Sequence, residues 1–208
     1  MKRIGITQRV ECVQSYSERR DCLDQRWSAF VSELGYIPLP LPNILPNQIS
    51  ELLDALNLDA LLFSGGNSIA RLDPSASDAA PERDAFESAL LGEAFERNIP
   101  VIGVCRGMQM INLSMGGKLT PISGHVAVRH SVTSMAAHDP LPGAVNSYHN
   151  WSISPEGLAD KLKPLAVDCD GNIEAFKHTE KPLLGIMWHP EREEPFNPLD
   201  VELMKRSL

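Results

Sequence analysis

The sequence predicts an α/β layered fold, on three observations. Short apolar runs recur along the chain, at residues 4–7, 60–63, 101–104, 173–176 and 183–187. Stretches with helical spacing of apolar residues separate them, and that alternation is the pattern of strands buried beneath helices. Two of the runs end directly in turn-forming, chemically capable residues, at Ser64-Gly65-Gly66 and at Cys105.

Met1-Lys-Arg-Ile-Gly-Ile-Thr-Gln8 is too polar for a signal peptide and reads as the first strand. Residues 17–34 are expected to form a helix, with Leu23, Trp27, Phe30, Val31 and Leu34 on one stripe, Ser17 as N-cap and Gly35 as the stop. Pro38, Pro40 and Pro42 keep residues 37–43 extended and restrict them to a sheet edge or a connection. A second helix is expected over 82–97, opened by Pro81 and closed before Pro100. Residues 73–81 read as a surface loop, and short β segments are expected at 126–134 and 143–147.

The 208 residues, 43% of them hydrophobic, suit a single domain spanning 1–208. A formal charge of −8 without a basic cluster argues against nucleic acid or an anionic membrane as partner. No apolar stretch approaches the ~18 residues of a membrane span. Four widely spaced cysteines without a C-x-x-C pair fit a reducing cytoplasm and argue against a disulfide framework or a structural zinc site. No metal and no cofactor is expected. A small molecule is the expected partner, and a homodimer is left open.

The segment Ile99-Pro-Val-Ile-Gly-Val-Cys-Arg-Gly-Met-Gln109 is the most informative. Its buried strand ends at Cys105, and residues 106–115 continue as a helix with Met108, Ile111 and Met115 on one face. Cys105 therefore sits on a strand-to-helix turn at the carboxyl end of a central strand, where α/β sheets place their ligands. The helix N-terminus there favours a thiolate, and Gly103 and Gly107 permit the tight turn. An ordinary buried cysteine would satisfy the same spacing, and Cys12, Cys22 and Cys169 are expected to be just that.

A thiol nucleophile needs a base and a group to orient it. His189 follows the apolar run ending at Trp188, and Pro190 biases it toward an extended backbone. Glu191, two residues on, would then lie on the same face. His125, His130, His138 and His178 lie in polar surroundings and are expected to be exposed. Leu58-Asp-Ala-Leu-Leu-Phe-Ser-Gly-Gly-Asn67 offers a glycine pair whose N–H groups could face a cleft. The N–H groups of Gly66 and Arg106 are the expected oxyanion donors.

With these residues in view, the chain resembles the class I glutamine amidotransferase-like hydrolases of the γ-glutamyl-γ-aminobutyrate hydrolase type. Matching blocks are Ser64-Gly-Gly-Asn67, Arg83-Asp84 with Phe86-Glu87, Gly103-Val-Cys-Arg-Gly-Met-Gln109, Gly116-Gly-Lys-Leu119, Val145-Asn-Ser-Tyr-His149, Asp170-Gly-Asn-Ile-Glu-Ala175 and Gly185-Ile-Met-Trp-His-Pro-Glu191. The resemblance implies a flavodoxin-like parallel sheet flanked by helices and hydrolysis of a γ-glutamyl amide through a thioester. By position, Cys105 is the nucleophile, His189 the base and then acid, and Glu191 the orienting group. Gln109 would help hold the glutamyl group, and Asn146, Ser147, Tyr148 and His149 would wall its pocket.

The chain departs from the family in being short and in carrying Trp151 where Gln is common. Trp151 and the opening Gly5-Ile-Thr-Gln-Arg9, with Ser15-Tyr16 and a helix at 21–27, resemble the branch that hydrolyses γ-glutamyl-CDP-amidate in polysaccharide modification. Arg9 could hold a phosphate there and Trp151 could stack on a pyrimidine. A plain γ-glutamyl amine is the equal alternative. A glutaminase subunit passing ammonia to a partner synthase would need the same three residues.

Overall fold

The computed structural model describes residues 2–135 and 140–208, so His138 lies outside the described residues. In chain order its elements are β1 (Lys2–Thr7), β2 (Arg9–Val13), β3 (Glu18–Cys22), α1 (Arg26–Glu33), β4 (Tyr36–Leu41), α2 (Ile49–Leu56), β5 (Ala60–Phe63), α3 (Pro81–Arg97), β6 (Val101–Val104) and α4 (Arg106–Ser114). Then follow β7 (Thr120–Pro121), β8 (Val126–Ser131), β9 (Thr133–Ser134), β10 (Ala144–Tyr148), β11 (Trp151–Ser152), β12 (Leu162–Val167), β13 (Ile173–His178), β14 (Leu183–Ile186) and α5 (Pro198–Ser207).

The main sheet has the order β4-β1-β5-β6-β14-β13-β12-β9. Its first five strands are parallel. Numbered among themselves along the chain they run 2-1-3-4-5, the flavodoxin-like order. The remaining strands join antiparallel, so the sheet is mixed and not wholly parallel.

Period-two alternation divides each central strand between two cores. Ile4, Ile6, Ala60, Leu62, Ile102 and Val104 face Trp27, Phe30 and Val31 of α1 and Leu203 and Met204 of α5. Leu61, Phe63 and Val101 face Ile49 and Leu53 of α2, Phe86 and Leu90 of α3, and Met108 and Ile111 of α4. Burial of each large apolar side chain contributes roughly 1.5–3 kcal/mol, which is why these runs are legible in the sequence. No described helix is long and apolar enough to cross a membrane.

Several expectations are corrected. The expected helix over 17–34 begins only at Arg26; its first part is β3, the second strand of the β2–β3 hairpin, with Ser17 in the turn at φ +54°. The reason is Glu18-Arg-Arg-Asp21, four charged residues that offer a helix no apolar face. Of residues 37–43, those up to Leu41 are extended as expected, within β4 at the parallel edge beside β1, while Pro42 and Asn43 lie beyond the strand. Cys12 and Cys169 are exposed and Cys22 is half-buried, so none is a core residue. His178 is buried, its Nδ1 accepting the N–H groups of Glu180 and Lys181 at 2.9 Å. His125 and His130 are also mostly covered.

Strand ends are tied by a buried ionic network. Glu87 of α3, fully buried, accepts from Thr7 Oγ1 at 2.6 Å and from Arg83 Nε at 2.9 Å, and its other oxygen pairs with Arg106. Arg106 also pairs with Asp84. Burial raises the Glu87 carboxyl pKa, but Arg106 and Arg83 outweigh it and leave the pKa below its ordinary value. Glu87→Ala would leave two buried guanidinium groups short of a counter-charge. It should lower the unfolding free energy by about 3–5 kcal/mol, read from the urea midpoint, and Glu87→Gln should cost less.

Candidate active site

Cys105 occupies the residue between β6 and α4 with φ +52° and ψ −108°, outside the regions open to most side chains. Two interactions over-determine that turn: the Cys105 N–H donates to Ile186 O at 2.8 Å, and Gln109 N–H to Cys105 O at 3.0 Å. Gly107 makes it sterically feasible, since a Cβ there would stand 2.1 Å from Phe63 O, and one at Gly103 would stand 2.5 Å from Ile111. The thiol thus lies at the start of α4, beside the unbonded N–H groups every helix presents at its first turn.

His189 follows β14 with an extended backbone (φ −110°, ψ 90°). Pro190–Arg192 then forms one 3₁₀ turn. That turn, and not the strand alternation expected from sequence, brings the Glu191 carboxylate back to His189 Nδ1 at 2.6 Å. Burial by itself lowers the His189 pKa, yet a hydrogen bond and charge from the Cys105 sulfur, with Glu191 behind, push it up to about 10. Asn146 clamps the same residue: its Oδ1 accepts His189 N–H at 2.9 Å and its Nδ2 donates to His189 O at 2.8 Å.

The Ser64-Gly65-Gly66 loop closes over this pair. Arg83, fully buried, donates to the carbonyls of Ser64 (2.7 Å), Gly65 (3.1 Å) and Gly66 (2.6 Å). Burial, with Arg106 nearby, lowers the Arg83 pKa to about 10 even against Glu87. With those carbonyls held on one side and the Ser64 N–H donated to Thr7 Oγ1 at 3.1 Å, the glycine pair is the part of the loop that faces His189. A Cβ at Gly65 would stand 2.6 Å from His189 Cε1, so only glycine allows the imidazole this close.

Two recesses meet at Gly66. A cavity of about 210 Å³ is lined by Gly66, Cys105, Arg106, Gln109, Tyr148, His149, Asn150 and Trp151, among others. A smaller one of about 30 Å³ is lined by Arg9, Trp27, Gly65, Gly66, His189, Glu191 and Arg192, among others. The larger groove of about 560 Å³ between α1 and α5, around Phe196 and Val201, holds none of these residues.

Gln109 faces the first cavity, with Nε2 donating to Trp151 O at 3.0 Å. Tyr148 and His149 wall it, but Asn146 and Ser147 do not, since their side chains are engaged by His189 and by His125 O. Arg9 and Trp151 are not brought together: they line different recesses, and Arg9 is about half exposed and ion-paired with Glu11. Arg192, missed in the sequence, stacks its guanidinium 4.3 Å from the Tyr148 ring centre. Its place beside Glu191 was the one available hint. The roles of Arg83 and Glu87 were also missed, because the groups they join are distant in the chain.

This fold and site place the chain in the peptidase C26 family, whose model matches residues 3–191. Among its relatives, a gamma-glutamyl-CDP-amidate hydrolase of Campylobacter jejuni is 33% identical over 201 residues, covering 95% of this chain and 94% of that protein. The gamma-glutamyl-gamma-aminobutyrate hydrolase of Escherichia coli O157:H7 is 29% identical over 199 residues, covering 81% and 78%. Family and relatives together support a hydrolase. Among solved structures, one described as a GMP synthase subunit from Thermoplasma acidophilum superposes with a TM-score of 0.73 at 21% identity, covering 100% of this chain and 92% of that one. A glutamine amidotransferase from Thermotoga maritima gives 0.65 at 16%, covering 100% and 84%. The fold is therefore that of the class I glutamine amidotransferase proteins.

With its pKa near 10, His189 should remain an imidazolium at pH 8, observable in the imidazole ¹⁵N shifts. The Cys105 sulfur and the Glu191 carboxylate both raise that pKa, so Cys105→Ala and Glu191→Gln should each bring the His189 titration down toward the ordinary value of about 6.5. A neutral His189 in the unaltered protein at pH 7 would contradict the geometry.

Proposed function

We propose that this protein is a cysteine hydrolase that cleaves a γ-glutamyl amide bond and releases glutamate. The observation that carries the reading is the convergence, at the carboxyl ends of β5, β6 and β14, of Cys105, a doubly anchored His189–Glu191 pair and the Gly66 loop. His189, as base, takes the Cys105 thiol proton; the sulfur attacks the γ-carbonyl carbon, and the carbonyl π electrons move to oxygen. The N–H groups of Gly66 and Arg106 stabilise that oxyanion. As the C–N bond breaks, His189 gives its proton to the departing nitrogen, leaving a glutamyl thioester on Cys105. His189, now neutral, takes a proton from water, whose oxygen attacks the thioester; glutamate leaves and the thiolate–imidazolium pair returns. Glu191 holds the imidazole orientation throughout.

The cavity beside Cys105, about 210 Å³, lies below the ~300–1,000 Å³ of pockets that enclose drug-sized ligands. It suits a glutamyl group with Gln109 at its wall, and leaves any large leaving group at the rim. Arg9 and Arg192 both line the small recess on that rim, which favours a phosphorylated leaving group such as a nucleotide amidate, the substrate named for the Campylobacter relative. A γ-glutamyl amine, as named for the Escherichia relative, is the second reading, because the glutamyl half of the pocket would serve either.

Cys105→Ala should abolish turnover while leaving the unfolding midpoint in place; retained turnover sinks the mechanism. In a head-to-head assay, γ-glutamyl-CDP-amidate should exceed γ-glutamyl-γ-aminobutyrate and glutamine in kcat/KM. Arg9→Ala should cost on the order of tenfold for the nucleotide substrate, equivalent to one charged hydrogen bond at the low end of its range, ~1.5 kcal/mol, because the side chain is half exposed. The small amides should be unaffected. Equal slowing of all substrates, with γ-glutamyl-γ-aminobutyrate best, would transfer the reading to the amine. Ammonia release from glutamine only with an added synthase would mean that the chain serves as a glutaminase for that partner.

A further inference from the structure

Beyond the candidate catalytic residues, the geometry points to a metal centre: we propose that His125, His130, His149 and Glu174 hold a divalent transition-metal ion, Zn²⁺ by preference, that pins the β8–β10 hairpin to the main sheet. His125 precedes β8, His130 lies on it, and His149 follows its partner β10. Glu174 belongs to β13, within the sheet. Three imidazoles from the hairpin therefore converge on one carboxylate from the sheet, with a ligand atom of each within 4.8 Å of all the others.

The spacings match a shared ion better than direct contact. His130 Nε2 and His149 Nε2 each stand 3.7 Å from a Glu174 oxygen, too far for hydrogen bonds. Four ligands at the ~2.0–2.1 Å usual for zinc with nitrogen or oxygen lie roughly 3.4 Å apart on a tetrahedron. The His125 ring centre is 5.0 Å from each of the other two.

Five buried polar atoms meet there without a hydrogen-bond partner among the described residues: His125 Nδ1, His130 Nε2, His149 Nε2 and both Glu174 oxygens. Native interiors carry few such atoms, and a cluster of them calls for an unseen partner. Second contacts already orient two rings for ligation. His149 Nδ1 lies 3.0 Å from Trp151 O and His130 Nδ1 3.2 Å from Ser131 O. A carbonyl needs an N–H, so each of these rings turns its lone pair on Nε2 inward. His125 Nε2 faces Asp168 Oδ2 across 4.0 Å, which leaves Nδ1 as its ligand atom.

Charge gives the sign of the occupant. Glu174 is buried, and the side chains that face its carboxylate oxygens at 3.7 Å are His130 and His149. A divalent cation gives the carboxylate oxygens and the inward-facing imidazole nitrogens one shared partner. Three imidazoles and one carboxylate favour zinc and its first-row neighbours over Mg²⁺ or Ca²⁺, which take all-oxygen shells. Four protein ligands leave no open position, so the ion would be structural. It would also steady the substrate cavity, since His149 lines that cavity and shares the Trp151 carbonyl with Gln109.

Metal content of the full chain purified without chelator, read by mass spectrometry, should approach one Zn²⁺ per chain. After dialysis against EDTA, Zn²⁺ titrated by calorimetry should bind one equivalent, and at a hundredfold excess over Kd should raise Tm by about 5 °C or more. Glu174→Gln and His130→Ala should each weaken binding at least tenfold. Glu174→Gln keeps the size of a neutral carboxyl and serves if the histidine variant fails to fold by circular dichroism. Co²⁺ in place of Zn²⁺ should give the strong visible bands of a four-coordinate site. Absence of stoichiometric metal together with an unmoved Tm overturns the proposal. So does Zn²⁺ binding that both variants retain, which would put the ion elsewhere on the surface.

Discussion

The candidate site depends above all on Glu87. Its two oxygens gather Thr7 from the end of β1, Arg83 from its own helix and Arg106 from the start of α4. Thr7 in turn receives Ser64 N–H on its hydroxyl and Ser64 Oγ on its carbonyl. Through Arg83 the same carboxylate fixes the carbonyls of the glycine loop. Two strand ends and one helix start are thereby locked by one buried anion with two cations. Such a cluster is not a strong source of stability, because desolvation offsets most of its Coulomb energy. It does fix geometry, since any displaced member would leave a buried charge unpaired.

A second clamp sets the other half of the site. Asn146 holds the His189 main chain from the β10 side, and Glu191 holds its ring from the 3₁₀ turn. Arg26 of α1 donates to the carbonyls of Glu191 (2.7 Å) and Glu193 (2.7 Å), anchoring that turn from beneath. His189 is thus gripped by three elements, while Cys105 is set by its own strand-to-helix turn. Preorganisation of this kind holds the imidazole in one place without mobile parts. It also assigns Asn146 a positioning role where the sequence had suggested contact with a ligand.

The β8–β10 hairpin links both themes. It supplies Asn146 to His189, Tyr148 and His149 to the cavity wall, and three histidines to the cluster with Glu174. It lies outside the main sheet, and of its described strand residues Val145 enters the apolar core. An ion joining it to β13 would explain how so polar a hairpin keeps a fixed position over the site.

The sequence by itself determined the central strands, the turn at Cys105 and the helix after it. These follow from local rules: two-residue and 3.6-residue apolar periods, and the few backbone angles open to Pro and near Gly. It misjudged residues 17–25, where one apolar stripe was extended through charged residues that only a hairpin could expose. Tertiary structure alone decided which polar groups meet. Glu87 with Arg106, Arg83 with Gly66, Asn146 with His189, and three histidines with Glu174 are each brought together by packing across 17 to 49 positions. Burial then makes those meetings consequential, because a charge or hydrogen-bonding atom removed from water must find its partner wherever the fold has carried it.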